Sequence, residues 1–563
     1  MVSMKSTFRA AGLGLCALGL LVCAARLPAG DDAKYDPIAE AAKTLATMKV
    51  KPGDSPQLGH SRYRNNVTGA QNIPTEWDVM SGKNIKWSIK LGSQTYASPV
   101  VANGKVFVGT NNGNGYVKRY SSKVDLGVLL CIDDATGKFL WQHSNEKLPQ
   151  GRVLDWEHLG ICSSPYVDGD RLWYVTNRNE ITCLDTEGFL DGENDGPFKE
   201  EPNQNKDEAD VVWKLDMMGK LGASPHNASS CSVTALGDTL FVCTSNGVDE
   251  AHKVIAQPRA PSFVAMNKNS GEILWSDNSP GSNIMHGQWS SPACGTLGGV
   301  DQVIFAGGDG WLYSFDPQGD KGKSKLLWKF DCNPKESKYM LERATRNPLI
   351  ATPVIYDGLV YMGVGEDPEH GEGTAHLWCI DPTKRGDVSP TLVFNKKDPK
   401  TPIPYKRLQA CEPEKGDFER DNENSAMVWH YVGNNQKKFE ETMHRTISGA
   451  TIKDGLLFIS DESGLLHCVD AKTGKGYWTF DMLSSSWSTP LIVGDLVYIS
   501  DTDGDVTIFK VSKEKVQVSE QDMDLTLFTT PVVANGVLYI ATVNTLYAIQ
   551  AGATAKSAPG GGQ

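Results

Sequence analysis

The chain has 563 residues, 40% hydrophobic and 22% charged, which excludes a disordered chain and allows two to four domains or one repeat array. Its net charge of −13 argues against a nucleic-acid partner, which needs a basic face. The 56 Gly, with 14 Trp and 17 Tyr, favour short strands and tight turns over long helices.

The N-terminus reads as an export signal. Lys5 and Arg9 precede an uncharged run from Ala10 to Ala25, and Leu27-Pro28-Ala29-Gly30 offers a small-residue cleavage site. Residues 1–29 are therefore expected to be a signal peptide, and the product periplasmic or extracellular. Val22 stands where lipidation of Cys23 would want a small residue, so a lipid anchor is not expected. No later apolar stretch reaches the length of a membrane span. Residues 30–74 read as an irregular lead-in, with PIAEAAKTLATM a short helix candidate.

From Ala97 onward one phrase recurs: small hydroxyl, Pro, apolar alternation, a Gly-containing turn, and a second apolar alternation. It stands at Ala97 (ASPVVANGKVFVGT), Ser163, Ser290, Ala351, Ser488 and Thr529, and without the Pro at Ser229 and Ser448. Period-2 alternation around a turn predicts a β-hairpin each time. A third strand follows most hairpins, as in GLLHCVD at Gly464, and a fourth carries a Trp after a turn, as in DATGKFLW ending at Trp141. Eight such units predict an all-β fold, an eight-bladed β-propeller of four-stranded antiparallel blades over residues 75–550. A flexible tail, residues 551–563, follows. The last unit lacks its Trp strand, while NIKWSIKLG around Trp87 belongs to no unit. This N-terminal strand is therefore expected to complete the last blade and close the ring. Insertions fall near 186–212, 245–261, 366–374 and 382–426. The last is rich in charge and Pro and too poor in apolar residues for a domain of its own.

The cysteines do not form a dense disulfide pattern. Cys131, Cys183, Cys379 and Cys468 share one repeat position in four units and read as small buried residues. Cys162, Cys231, Cys243, Cys294, Cys332 and Cys411 are left open to pairing.

Two columns run around the predicted ring. Immediately before the Pro position stand Ser98, Ser164, Ser230, Ser291, Thr352, Gly449, Thr489 and Thr530, small enough for strands that converge on an axis. Three positions before it stand Tyr96, Cys162, Ala228, Trp289, Ile350, Ile447, Trp487 and Phe528. Further out come His226, His286, Arg346, Asn347, His444 and Arg445. The ligand-mouth candidates are Tyr96, His226, His286, Trp289, Arg346, Asn347, His444, Arg445, Trp487 and Phe528, a set suited to a planar or anionic ligand. The competing reading packs Trp289 and Trp487 between blades and leaves the histidines in solvated loops.

Two loops carry metal-like patterns. Residues 365–376 concentrate Glu366, Asp367, Glu369, His370, Glu372 and His376, donors suited to a divalent metal. Asp191, Glu193 and Asp195 fall at EF-hand-like positions, but the closing ligand position is Pro202. An acidic surface loop is the alternative for each.

The DATGKFLW, NSGEILW and DAKTGKGYW segments, with their hairpins, resemble pyrroloquinoline quinone (PQQ) repeats. That resemblance covers residues 75–550 and implies an eight-bladed propeller. It also implies one of two functions. One is a PQQ-dependent alcohol or sugar dehydrogenase, with PQQ and Ca²⁺ as cofactors. The other is a non-enzymatic propeller acting as a binding or assembly scaffold in the cell envelope. The chain lacks an adjacent Cys-Cys pair and a C-x-x-C-H haem motif, so its marks lie closer to the non-enzymatic branch. The partner expected is a protein or envelope component bound through a ring face or the insertion loops.

Overall fold

A computed structural model describes residues 35–333, 347–365 and 375–555. The chain divides into two units, Met1–Tyr35 and Asp36–Gln563, and every element below belongs to the second. No helix among the described residues is long and apolar enough to cross a membrane.

The repeats fold as eight blades around a closed ring. Blade one is built from Val100–Ala102, Lys105–Asn111, Leu126–Asp133 and Phe139–Glu146, each strand antiparallel to the next. Blades two, three, four, six and seven repeat this order from the inner strands Tyr166–Asp168, Thr234–Leu236, Ala293–Leu297, Thr451–Lys453 and Leu491–Val493. Blade five starts at Val354–Tyr356 but takes its outer strand, Met427–Tyr431, from beyond the long insertion. That insertion lends Gly386–Asp387 to the outer edge of blade four and folds its own hairpin, Thr391–Asn395 with Asp417–Asp421. Blade eight consists of Val532–Ala534, Val537–Ala541 and Thr545–Thr554, completed by Lys83–Lys90, which places Trp87 opposite Ala548. The predicted N-terminal closure is thus present.

The recurring Trp joins most blades to the next. The indole N–H of Trp141 donates to Thr186 O (3.1 Å), Trp213 to Lys268 O (3.1 Å) and Trp275 to Pro317 O (2.9 Å). Trp429 reaches Ala471 O (3.0 Å), and Trp478 reaches Ser512 O (3.1 Å). In each case the acceptor lies on the following blade. In blade four, Trp328 donates to Gln302 Oε1 (2.8 Å), and Gln302 Nε2 donates onward to Pro382 O of blade five (3.0 Å). Blade seven has no such Trp on its outer strand, Gln517–Asp522. Trp77, which lies between the lead-in and the strand Lys83–Lys90, is buried there among Val506, Ile508, Val533 and Ile540 of blades seven and eight.

The lead-in is more ordered than its composition suggests. Its helix, Pro37–Leu45, is capped by Asp36, whose carboxylate accepts from the amide of Ile38 (2.9 Å). Residues 53–68 then make one circuit across the inner strands. Asn535 N donates to Gly53 O (2.8 Å), and Ser55 bridges Val101. Val167 N donates to Pro56 O (2.9 Å), and Thr234 Oγ1 to Gln57 Oε1 (2.8 Å). Cys294 N bonds Arg62 O (3.0 Å), Ile355 N bonds Tyr63 O (2.9 Å), and Ile452 N bonds Asn65 Oδ1 (2.8 Å). Val67–Thr68 pairs parallel with the inner strand of blade seven. Every blade is touched.

Arg64 fastens this segment. It is 2% exposed, and its guanidinium donates to Leu58 O (2.8 Å), Pro292 O (2.8 Å) and Ser232 O (2.7 Å). Burial pushes its pKa down to about 10, with Cys294 and Cys231 acting in the opposite direction.

Cys131, Cys162, Cys183, Cys231, Cys243, Cys294, Cys332, Cys379 and Cys468 carry free thiols. Cys131, Cys183, Cys379 and Cys468 are buried, as their shared repeat position predicts.

Candidate functional site

Both sequence columns converge on one open cavity of about 440 Å³. Every one of the eight residues in each column lines it. Trp156 and Leu159, from the connection between blades one and two, add to the wall, and Leu58 of the lead-in reaches it from the inner-strand side. The mouth is thus backed by the segment that Arg64 anchors.

The small-hydroxyl column does more than fit a narrow space. Gly449 N donates to Thr489 Oγ1, Thr489 N to Thr530 Oγ1, and Thr530 N to Ser98 Oγ, each at 3.0 Å. Ser164 Oγ donates to Ser98 O (2.8 Å). A side-chain oxygen on one blade therefore satisfies a backbone amide on the blade before it. These amides start inner strands and have no ladder partner, so the hydroxyls remove a buried donor penalty.

The wall above is aromatic on one side. Tyr96 stacks on Phe528 at 4.8 Å between ring centroids, and Trp487 lies 4.9 Å from Phe528. Across the mouth, Trp289 donates its indole N–H to His226 O (3.0 Å). Burial raises the Tyr96 phenol and the Cys162 thiol to about 12, so both stay neutral.

Of the mouth candidates, Tyr96, His286, Trp289, Trp487 and Phe528 line the cavity, and His226 borders it through its neighbour Asn227. Asn347, His444 and Arg445 are buried but are not among the lining residues. His444 instead directs Nε2 at Phe439 O (3.1 Å). Arg346 lies outside the described residues, as do Glu366, Asp367, Glu369, His370 and Glu372. His376 stacks on His430 at 4.8 Å. In the acidic loop, Asp191 Oδ1 accepts from Glu193 N (2.9 Å), and Asp195 pairs with Arg171 (2.5 Å).

One set of donors does converge. Among the described residues, His226, His252 and His286 alone form a group of three His, Cys, Asp or Glu with ligand atoms within 4.8 Å of one another. Nε2 of His252 lies 3.0 Å from Nε2 of His226 and 3.1 Å from Nε2 of His286. His226 and His286 are among the mouth candidates read from the sequence. His252 sits in the insertion within blade three, where no repeat position marks it.

PQQ carries three carboxylates and would need cationic partners, while its Ca²⁺ would need carboxylate ligands. The described lining of the cavity contains no Asp, Glu, Lys or Arg. These residues do not fit that cofactor pair.

The fold and its Trp-docked blades define an eight-bladed β-propeller built from PQQ-type repeats. The family of the outer membrane protein assembly factor BamB matches residues 420–553, which span the outer strand of blade five through blade eight. Among solved structures, the chain is similar to BamB from Moraxella catarrhalis at 14% identity and a TM-score of 0.49, covering 83% of this chain and 99% of that one. It is similar to quinohemoprotein alcohol dehydrogenase from Comamonas testosteroni at 14% identity and a TM-score of 0.44, covering 94% and 86%. A europium-containing methanol dehydrogenase aligns at 11% identity and a TM-score of 0.44, covering 89% and 92%. No curated protein matches the chain.

Proposed function

We propose that the protein is an exported binding propeller that receives uncharged, partly apolar side chains of a partner protein in its backed mouth. The carrying observation is the lining: aromatic rings and hydroxyls with no charged residue among those described. Such a surface pairs with apolar groups and peptide carbonyls rather than with an anion. The assembly-factor family match over residues 420–553 supports a protein partner. The basic and apolar pattern of residues 1–29 supports export to the envelope. The other reading, a PQQ-dependent alcohol or sugar dehydrogenase, draws support from the repeat resemblance but not from the lining.

The test places a photo-crosslinking residue at Ile447, which lines the cavity, or at Met80, which is 81% exposed. Each form is expressed in cells and irradiated. The binding role expects a discrete protein adduct from position 447 and none from position 80. No adduct at 447, or equal adducts from both, would count against it. In parallel, purified protein is titrated with PQQ and Ca²⁺. Saturable quinone binding read by absorbance would favour the dehydrogenase.

A further inference from the structure

We propose that His226, His252 and His286 form a three-histidine site for a late first-row divalent ion, Zn²⁺ or Cu²⁺, on the wall of the mouth. The inference goes beyond the partner-binding role and does not depend on it.

The argument begins with the tautomers. Nδ1 of His226 lies 2.9 Å from Val248 O, and Nδ1 of His252 lies 3.1 Å from Glu250 O. A carbonyl oxygen only accepts, so in both rings Nδ1 carries the hydrogen. In the neutral form Nε2 of each then presents a lone pair. Those two Nε2 atoms stand 3.0 Å apart, and Nε2 of His286 stands 3.1 Å from the second. Two lone pairs at that distance repel unless a proton or a metal ion lies between them. A backbone carbonyl on Nδ1 also orients a ligating imidazole and raises its basicity.

The surrounding backbone is built to hold this arrangement. Val248 N donates to His286 O (2.9 Å), and Gly247 N donates to Ser224 O (2.9 Å). The insertion is thereby tied to the segments that carry the other two histidines. A Cβ on Gly247 would stand 2.6 Å from His226 Cβ and 2.8 Å from His286 O, so this approach requires glycine. Asp249 accepts from the amides of Lys253 (2.8 Å) and Val254 (3.1 Å), which closes the turn that presents His252. His226 and His286 are buried, and His252 is half-buried.

The donor chemistry selects the ion. Three neutral imidazoles suit Zn²⁺, Cu²⁺ and their neighbours, not Ca²⁺ or Mg²⁺. A tetrahedral ion about 2.0–2.1 Å from each nitrogen needs those nitrogens about 3.3 Å apart. His252 stands within a few tenths of an ångström of that from each partner, and the three ligand atoms together lie within 4.8 Å, so His226 and His286 supply the remaining adjustment. Three imidazoles from the described residues fill three positions of a tetrahedral shell.

The experiment uses the purified full chain, freed of metal with a chelator and titrated with CoCl₂, ZnCl₂ and CuCl₂. One Co²⁺ per chain is expected, with the intense visible bands of four-coordination, and either Zn²⁺ or Cu²⁺ should displace it. His252→Ala should weaken binding by more than about 100-fold, because even an outer partner of a ligand is worth about 10–100-fold. This residue is half-buried on a loop, and an unchanged metal-free melting temperature will show that the variant folds. A His226→Gln variant provides a second reading from a buried ligand. Equal affinity in wild type and His252→Ala, or no stoichiometric end-point with any of the three ions, overturns the site.

Discussion

The indole of Trp87 donates a 2.8 Å hydrogen bond to the carbonyl of Asp134, so the N-terminal strand of blade eight is docked on blade one. Lys86 Nζ reaches the same carbonyl at 2.9 Å, and the Tyr539 hydroxyl donates to the Asp134 carboxylate. Gly137, at φ +71°, lies flat against the ring, where a Cβ would fall 2.6 Å from Trp87 Cδ2. Trp87→Ala should therefore cost about 3–5 kcal/mol, as for other buried aromatics. Trp87→Phe, which keeps most of the packing, should cost about 1 kcal/mol for the lost bond. Chemical denaturation of the two variants will rank them. Deleting the residues before Gly92 should lower the melting temperature further, and an unchanged value would refute the latch.

Arg64 holds the lead-in against the inner strands through carbonyl oxygens of two blades and of Leu58. Arg64→Met keeps the apolar stem and leaves those acceptors without donors. The expected loss is about 3 kcal/mol, since hydrogen bonds to a charged group contribute about 1.5–3 kcal/mol and strand their acceptors when removed. The ring should stay closed while the lead-in loosens. Limited proteolysis should then cut within residues 47–70 in the variant before it cuts any blade. Simultaneous cleavage throughout would show that the anchor serves the whole ring.

Thr489 accepts from Gly449 and donates its own amide to Thr530. Thr489→Val preserves shape and removes the acceptor, which should cost about 1–3 kcal/mol through one unsatisfied amide. Thr489→Ser should recover most of that loss. Melting curves of the pair separate hydrogen bonding from simple volume.

Asp331 is buried in blade four, and burial raises its pKa from 3.8 to about 6, with Arg407 acting in the opposite direction. Between these values the folded state keeps a proton that the unfolded chain has released. Stability should therefore fall as pH rises from about 4 to 6 and change little from this group above that. Asp331→Asn removes the titration while preserving an acceptor for Asn333 N. Denaturation midpoints of wild type relative to the variant should decline across this window, and a parallel pair of pH curves would contradict the assignment.

The ring and both columns of the mouth were legible because rotation about one axis turns a sequence position into a circle. Tyr96, Trp289, Trp487 and Phe528 share a cavity for the same reason that they share a repeat offset. The Trp anchors were visible as a motif, but their carbonyl partners lie on the neighbouring blade and carry no side-chain signature. Trp77 replaces a missing anchor from outside the repeats, which periodicity cannot reveal. The course of residues 53–68 was equally hidden, because it is held largely by backbone bonds that any composition could make. His252 joins His226 and His286 through an insertion, so its approach depends on Gly247 and a turn rather than on register.

The circuit of residues 53–68 has a kinetic consequence. Its seat is assembled from all eight inner strands, and the bond between Asn535 and Asp54 spans 481 positions. The segment precedes every inner strand in the chain and can dock fully only after the last blade exists. Such non-local closure slows folding. It also makes the docked segment a report of completion: a chain that stalls with seven blades leaves this stretch unshielded and open to proteases or chaperones.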